Sequence, residues 1–287
     1  MDMRQPAEEG ITRNGHNFIR LGSSGFPLCV IDELNVRPGP VEGLTLQGML
    51  QVYELFLQRY QLIYLFRNGE QRGTEEQMGT EEQRGTELTI REEAESYMNA
   101  LFDFSHPSVH LFGISYGGLI AMEIAASAPQ LLRSLTVALV GCRVAPPMAR
   151  ELRRLADLVR RGEWRQFHAG MAGALHHHSS LRPLFVSIAW MLPKLLGVPE
   201  DPERVALMLE AFAEANLCER VSRIEVPTLL VAGDQDPYLN RDILDRTVAA
   251  LPQGELALYE GAGHSLLRSR QDEVDGRILS FLESTEA

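Results

Sequence analysis

Gly113-Ile114-Ser115-Tyr116-Gly117-Gly118 follows directly on the apolar run 109–112 and opens a helical pattern that continues to Ala126, short of Pro129. A serine held in a sharp strand-to-helix turn needs small neighbours, because the turn brings backbones close together. Residues 113 and 117 are both glycine. Such a turn lifts the serine hydroxyl above the sheet edge. It also places it at a helix N-terminus, where the amide of Tyr116 can stabilise developing negative charge.

Outward from this turn, short apolar runs alternate with longer helical patterns. Runs 28–31, 62–66, 109–114, 134–140, 228–232 and 256–259 read as strands. Segments 46–60, 89–102, 116–126 and 273–282 read as helices, with Thr89 and Glu92 in capping-box relation. This alternation predicts an α/β fold: a mostly parallel central sheet with helices on both faces.

Two segments break the rhythm. Around 70–88 the sequence repeats Gly-Thr-Glu with a six-residue period and offers almost nothing to bury, which reads as a solvated acidic loop. From 143 to 223 the strand signals vanish. Met148, Leu152, Leu155 and Val159 form an apolar stripe, with Arg150, Arg153, Arg154, Arg160 and Arg161 on other faces. Helical patterns continue over 164–175, 184–195 and 202–217. The expected organisation is therefore a core of 1–142 and 224–287, with an all-helical cap, 143–223, inserted between two strands.

A serine alcohol needs a base, and the base needs an orienting carboxylate. Strand 228–232 ends in Gly233-Asp234-Gln235-Asp236-Pro237, and strand 256–259 ends in Glu260-Gly261-Ala262-Gly263-His264. Both candidates follow strand ends, where ligands bind in open parallel sheets. Asp234 and Asp236 compete for the acid role, and Asp234 is the more natural turn-former.

With these motifs in chain order, the sequence resembles the α/β-hydrolase fold superfamily, serine hydrolases with a helical cap, over about residues 18–282. The resemblance implies Ser115 as nucleophile, His264 as base and then acid, and Asp236 as orienting carboxylate. It implies Tyr116 as one oxyanion-hole amide. Many relatives carry His-Gly after the first central strand, and the next residue gives the second amide. Here Cys29-Val30-Ile31 is followed by Asp32-Glu33-Leu34-Asn35, which puts Leu34 at that position and acidic side chains beside it. Phe185, Trp190 and Met191 are the candidates for substrate binding, with Leu192 and Phe212 as further acyl-pocket residues. The implied chemistry is cleavage of a carboxylic ester, thioester or lactone through an acyl-enzyme. An acyltransferase, a cyclase or a carbon–carbon bond hydrolase of the same fold is an alternative. So is a non-catalytic ligand-binding or sensor protein.

Composition bounds the partners. The chain has 287 residues and a formal net charge of −12, which argues against nucleic-acid binding and leaves a small acyl substrate as the expected partner. Residues 70–95 carry a net −6, whereas 143–165 carry a net +4, so the acidity reports the repeat-bearing loop rather than the site. The arginine-rich first cap helix reads as a solvated face, with an anionic substrate or membrane surface as the alternative. No run reaches the roughly 20 apolar residues of a membrane span, and 1–15 lacks a signal-peptide core, so a cytoplasmic protein is expected. Cys29 and Cys142 lie in apolar runs and read as buried inert thiols. His176-His177-His178 point to different helix faces and make a poor metal site. No metal or cofactor is expected.

Overall fold

A computed structural model describes residues 8–22, 25–32, 51–67, 88–177, 179–199 and 201–286. Eight strands form one sheet: β1 (Glu8–Ile11), β2 (Asn17–Leu21), β3 (Phe26–Ile31), β4 (Tyr60–Leu65), β5 (Val109–Ile114), β6 (Leu132–Ala138), β7 (Thr228–Gly233) and β8 (Gly254–Tyr259). Their spatial order is β1-β2-β4-β3-β5-β6-β7-β8. β1 and β2, and β2 and β4, pair antiparallel, and every other neighbouring pair is parallel.

The central strands are buried on both sides, as parallel strands under two helical layers must be. Every residue of β5 and β7 is buried. Side-chain alternation divides the core. Cys29 and Ile31 of β3 join one cluster with α1 (Ile90–Leu101) and α2 (Tyr116–Ser127). Leu28 and Val30 join the other, with Val274, Ile278, Phe281 and Leu282 of the closing helix Gln271–Ser284. Thr89 caps α1: its hydroxyl accepts from the Glu92 amide, while Glu92 answers the Thr89 amide, as the sequence pattern predicts.

Between β6 and β7 the described residues form no further strand, apart from an isolated bridge between Arg143 and Asn216; the chain inserts the helices α3 (Pro146–Arg160), α4 (Trp164–Leu175), α5 (Arg182–Met191), α6 (Pro193–Leu196) and α7 (Pro202–Glu214). Met148, Leu152, Leu155 and Val159 are all buried, so the stripe on α3 is its packing face. The expected helix over 184–195 is two helices, because Pro193 has no amide to continue the ladder and its ring clashes with the preceding turn. The arginines of α3 are partly answered from α7. Arg160 bonds both Glu203 and Glu210, and Arg153 lies 3.7 Å from Glu214. They tie two inserted helices together.

Other expectations shift. The hairpin of β1 and β2 was not legible in the polar N-terminal segment. The helix expected over 46–60 does not reach its end: residues 56–58 form a 3-10 turn and Tyr60 already begins β4. The acidic loop near 70–88, apart from Leu88, lies outside the described residues. Cys142 is no inert thiol. It forms a disulfide with Cys218, across a sequence separation of 76. Cys142 leaves β6 and Cys218 lies on the return from α7, a proximity created by the insertion and invisible in sequence spacing. The Leu217 amide donates to the Cys142 carbonyl at 2.8 Å beside the bridge. Cross-linking a loop of this size removes unfolded-chain entropy worth about 4 kcal/mol.

One buried group has a pH consequence. His110 on β5 is fully buried, with Nδ1 2.8 Å from the Ser134 hydroxyl. Burial, reinforced by Arg133, pushes its imidazole down from 6.5 to about 4. The folded protein thus keeps it neutral, while the unfolded chain takes up a proton below its ordinary value. This contribution to stability is complete above pH 6.5 and is lost as pH falls toward 4. Urea unfolding of His110→Gln across that window is expected to fall less steeply than wild type, the gap approaching about 3 kcal/mol at the acid end.

Candidate functional site

The site is assembled at the C-terminal ends of β5, β7 and β8. β5 runs straight into Ser115, whose φ of 53° and ψ of −115° are rare for a residue with a side chain. The turn holds because its surroundings leave no room for anything else. A Cβ on Gly113 would lie 2.6 Å from both the Gly117 carbonyl oxygen and the Ala121 Cβ. A Cβ on Gly117 would lie 2.3 Å from the carbonyl oxygens of Ile31 and Asp32. The Ser115 amide donates to the Ala138 carbonyl at 2.8 Å, which anchors the turn to β6. Ser115 closes the strand and Tyr116 is the first residue of α2, so the Tyr116 amide belongs to the unsatisfied first turn of that helix.

Ser115, His264 and Asp236 meet in line. Ser115 Oγ lies 3.0 Å from His264 Nε2, and His264 Nδ1 lies 2.7 Å from Asp236 Oδ2. Their relative exposures are 3%, 4% and 3%, which removes water from the line and strengthens each contact. The carboxylate partner assigns the ring proton to Nδ1, leaving Nε2 as acceptor for the serine hydroxyl. The second oxygen of Asp236, Oδ1, accepts from the Tyr238 amide at 2.9 Å. Asp234 does something else. Its Oδ1 accepts from the Gly261 amide at 2.7 Å, and the Gln235 amide donates to the Ala262 carbonyl at 2.9 Å. These bonds zip the turn after β7 to the loop that presents His264.

Two aromatic residues close over this line. The Tyr238 ring stacks on the His264 imidazole, with centroids 4.1 Å apart and planes at 27°. Phe212 of α7 stacks on Tyr238 at 5.5 Å and meets the Tyr116 ring edge-on at 5.5 Å. One inserted helix therefore touches the neighbours of both the serine and the histidine. Phe212 is a sequence candidate that the structure brings to the site. Tyr238 escaped sequence reading, although its place two residues after Asp236 was a usable signal.

The other candidates fall elsewhere. Phe185 stacks on His176 at 3.9 Å. Trp190 and Met191 are 48% and 56% exposed, and the Trp190 ring lies under the Arg165 guanidinium. None of these contacts is with the triad. Leu34 lies outside the described residues, as do Glu33 and Asn35. Asp32 is described: the Tyr64 hydroxyl donates to its carboxylate, which gives that charge a partner. His178 is also outside the described residues. Among the described residues, no three His, Cys, Asp or Glu side chains are grouped to hold a metal.

Beside the elbow lies a small cavity of about 20 Å³, where Asp32, Tyr64, Arg67, Glu93 and Tyr116 share the lining with apolar Leu65, Phe66, Ile120 and Met208. It is of the size that holds a single water. Glu93 is buried and pairs with Arg204 of α7, and burial raises its carboxyl above the usual range despite the two arginines. This ion pair is a second clamp between the inserted helices and the core.

Comparison with known proteins agrees with this architecture. The model of the alpha/beta hydrolase family matches residues 77–276. A pimeloyl-(acyl-carrier protein) methyl ester esterase of Xylella fastidiosa is 26% identical over 199 residues, covering 64% of this chain and 74% of its own. A 2-hydroxy-6-oxononadienedioate/2-hydroxy-6-oxononatrienedioate hydrolase of a Pseudomonas species is 23% identical over 181 residues, covering 60% of this chain and 62% of its own. Among solved structures, the enol-lactonase of Burkholderia xenovorans LB400 superposes with a TM-score of 0.73 at 15% identity, covering 96% of this chain and all of that one. The family model spans most of the sequence, from the segment before α1 to the closing helix, and includes the elbow, the acid turn and the histidine loop; the chain belongs to the alpha/beta hydrolase family.

Proposed function

We propose that this protein is a serine hydrolase that cleaves a carboxylic ester, thioester or lactone through an acyl-enzyme. The observation that carries the reading is the continuous line from Ser115 Oγ through His264 to Asp236, at 3.0 and 2.7 Å. Ser115 attacks the acyl carbonyl while Nε2 of His264 takes its proton. The charge that forms on the imidazole is balanced by Asp236 and faced by the Tyr238 ring. The carbonyl oxygen becomes negative and is met by the Tyr116 amide at the positive end of α2. His264 then returns its proton to the leaving group and activates the water that releases the acid. The inserted helices serve as a cap, with Phe212 packed against Tyr116 and Tyr238, the neighbours of the reacting groups. The names of the relatives, an esterase and a lactonase among them, support acyl chemistry and differ too widely to fix one substrate.

A fluorophosphonate probe tests the reading. Wild type is expected to be labelled at Ser115, and His264→Ala to lose the labelling. A folded wild-type protein that stays unlabelled, and that turns over no short p-nitrophenyl ester, would exclude it and leave the non-catalytic binding protein.

Tyr238 offers a subtler check. A ring face against an imidazolium is worth about 0.5–2 kcal/mol. Tyr238→Leu is therefore expected to lower kcat by roughly 2- to 30-fold with little change in KM. Tyr238→Phe keeps the ring and should keep kcat.

A further inference from the structure

The outer side of α5 and α6 presents apolar side chains to water. Leu181, Leu184, Ile188, Trp190, Met191 and Leu192 are each more than 40% exposed, and the exposure continues through Leu196 to Val198. Leu181, Leu184, Ile188 and Met191 follow helical spacing, so they share one face. Ala189 is the buried residue of α5 among those described. Exposed apolar residues are ordinarily scattered singly, and a contiguous face of this kind marks an interaction surface.

Charge tells what the surface fits. From Trp164 to Pro199 the sequence contains no aspartate or glutamate, although the chain as a whole has 39 of them and a net charge of −12. The same stretch carries Arg165, Arg182 and Lys194. Arg165 lies over the Trp190 ring, 4.9 Å from its centroid, and Arg182 donates to the Gly173 carbonyl at 3.0 Å. The segment that bears the apolar face thus carries cations and no carboxylate of its own. The arginines of α3 differ, since several of them are answered by glutamates of α3 and α7.

We propose that this face docks on the surface of an anionic phospholipid bilayer, with α5 lying in the plane of the interface. Aliphatic side chains on one face of a short helix, a tryptophan beside them and flanking cations are the components of interfacial binding. Phosphate headgroups supply the negative charge that the segment itself lacks. A second copy of the chain fits less well. A two-fold contact would set the same patch against itself, bringing Arg165 and Arg182 of both copies together with no carboxylate from the segment between them. No helix among the described residues is long and apolar enough to cross a membrane, so the association is with the surface.

Co-sedimentation of the full chain with vesicles tests this. Vesicles of equal parts phosphatidylcholine and phosphatidylglycerol are compared with pure phosphatidylcholine. Wild type is expected to partition onto the anionic vesicles roughly tenfold or more above the neutral ones. Its Trp190 emission should shift to shorter wavelength, and high salt should weaken binding. Leu184→Asp/Ile188→Asp places charges on the exposed face without touching the core. It should lose the partition roughly tenfold or more while hydrolysing a soluble short-chain ester as wild type does. Ser115→Ala should partition like wild type, so a failure of docking and a failure of the hydrolase reading are seen separately. Wild type that stays in solution with anionic vesicles, or that binds equally to the double variant, overturns the proposal. A concentration-dependent dimer that the same double variant abolishes, without vesicle binding, also overturns it and assigns the face to a second copy.

Discussion

Replacing Ser115 with alanine should lower kcat for an activated ester by roughly 10⁴- to 10⁶-fold, and His264→Ala should do the same. Making both changes together should cost little more than either one. The expectation rests on geometry. Ser115 Oγ and His264 Nε2 are 3.0 Å apart in a site that solvent barely reaches. A serine without its base is a poor nucleophile, and a base without its serine has no proton to take. The two therefore act as one device, and removing either removes the covalent route. What survives is the modest acceleration from binding and the Tyr116 amide. Parallel kinetics on the two single variants and the double variant, with melting curves to show that each is folded, give the result directly. Losses that multiply in the double variant would mean that serine and histidine act separately.

Asp236→Asn should lower kcat by roughly 10⁴-fold, whereas Asp234→Asn should stay within about tenfold of wild type. The two aspartates sit in one turn and differ in partners. Asp236 is 3% exposed and uses both carboxylate oxygens, one for His264 Nδ1 and one for the Tyr238 amide. An asparagine there must present an NH₂ group to one of two donors. If it faces the ring, the proton moves to Nε2 and the serine loses its acceptor. If it faces the Tyr238 amide, two donors collide. Asp234 is exposed and needs only one oxygen, to receive the Gly261 amide at 2.7 Å. The asparagine carbonyl serves that bond equally well. A loss of similar size in Asp234→Asn would mean that the acid role is misassigned.

The strand–turn–helix around Ser115 was readable because two constraints coincide there. The glycines are demanded by backbone approaches of 2.3 to 2.6 Å, and the flanking runs are too apolar for an exposed loop. Asp236 and His264 were readable because each lies in the turn just beyond the C-terminal end of a sheet strand, β7 or β8. The β1–β2 hairpin was not readable, since its first strand, Glu-Glu-Gly-Ile, gains its stability from pairing rather than from burial. Tyr238 was missed because stacking on an imidazole leaves no periodic trace in sequence. Trp190 and Met191 are large apolar residues of the inserted helices. Size does not tell an inward face from an outward one, and both side chains are about half exposed. Cys142 looked like a buried thiol because its partner lies 76 residues on, after the last long helix of the insertion.

That bridge has a topological result. Cys142 and Cys218 stand where the chain leaves the sheet region and where it returns, so the disulfide offers a covalent path between the two halves of the core that bypasses the inserted helices. A single peptide-bond cut anywhere between the two cysteines would leave the molecule in one piece. Ser115, from the first half, would still be linked to Asp236 and His264, from the second. Protease nicking within residues 143–217 should therefore show as two bands only after reduction. The inserted helices are the part of this fold that can be severed without parting Ser115 from His264.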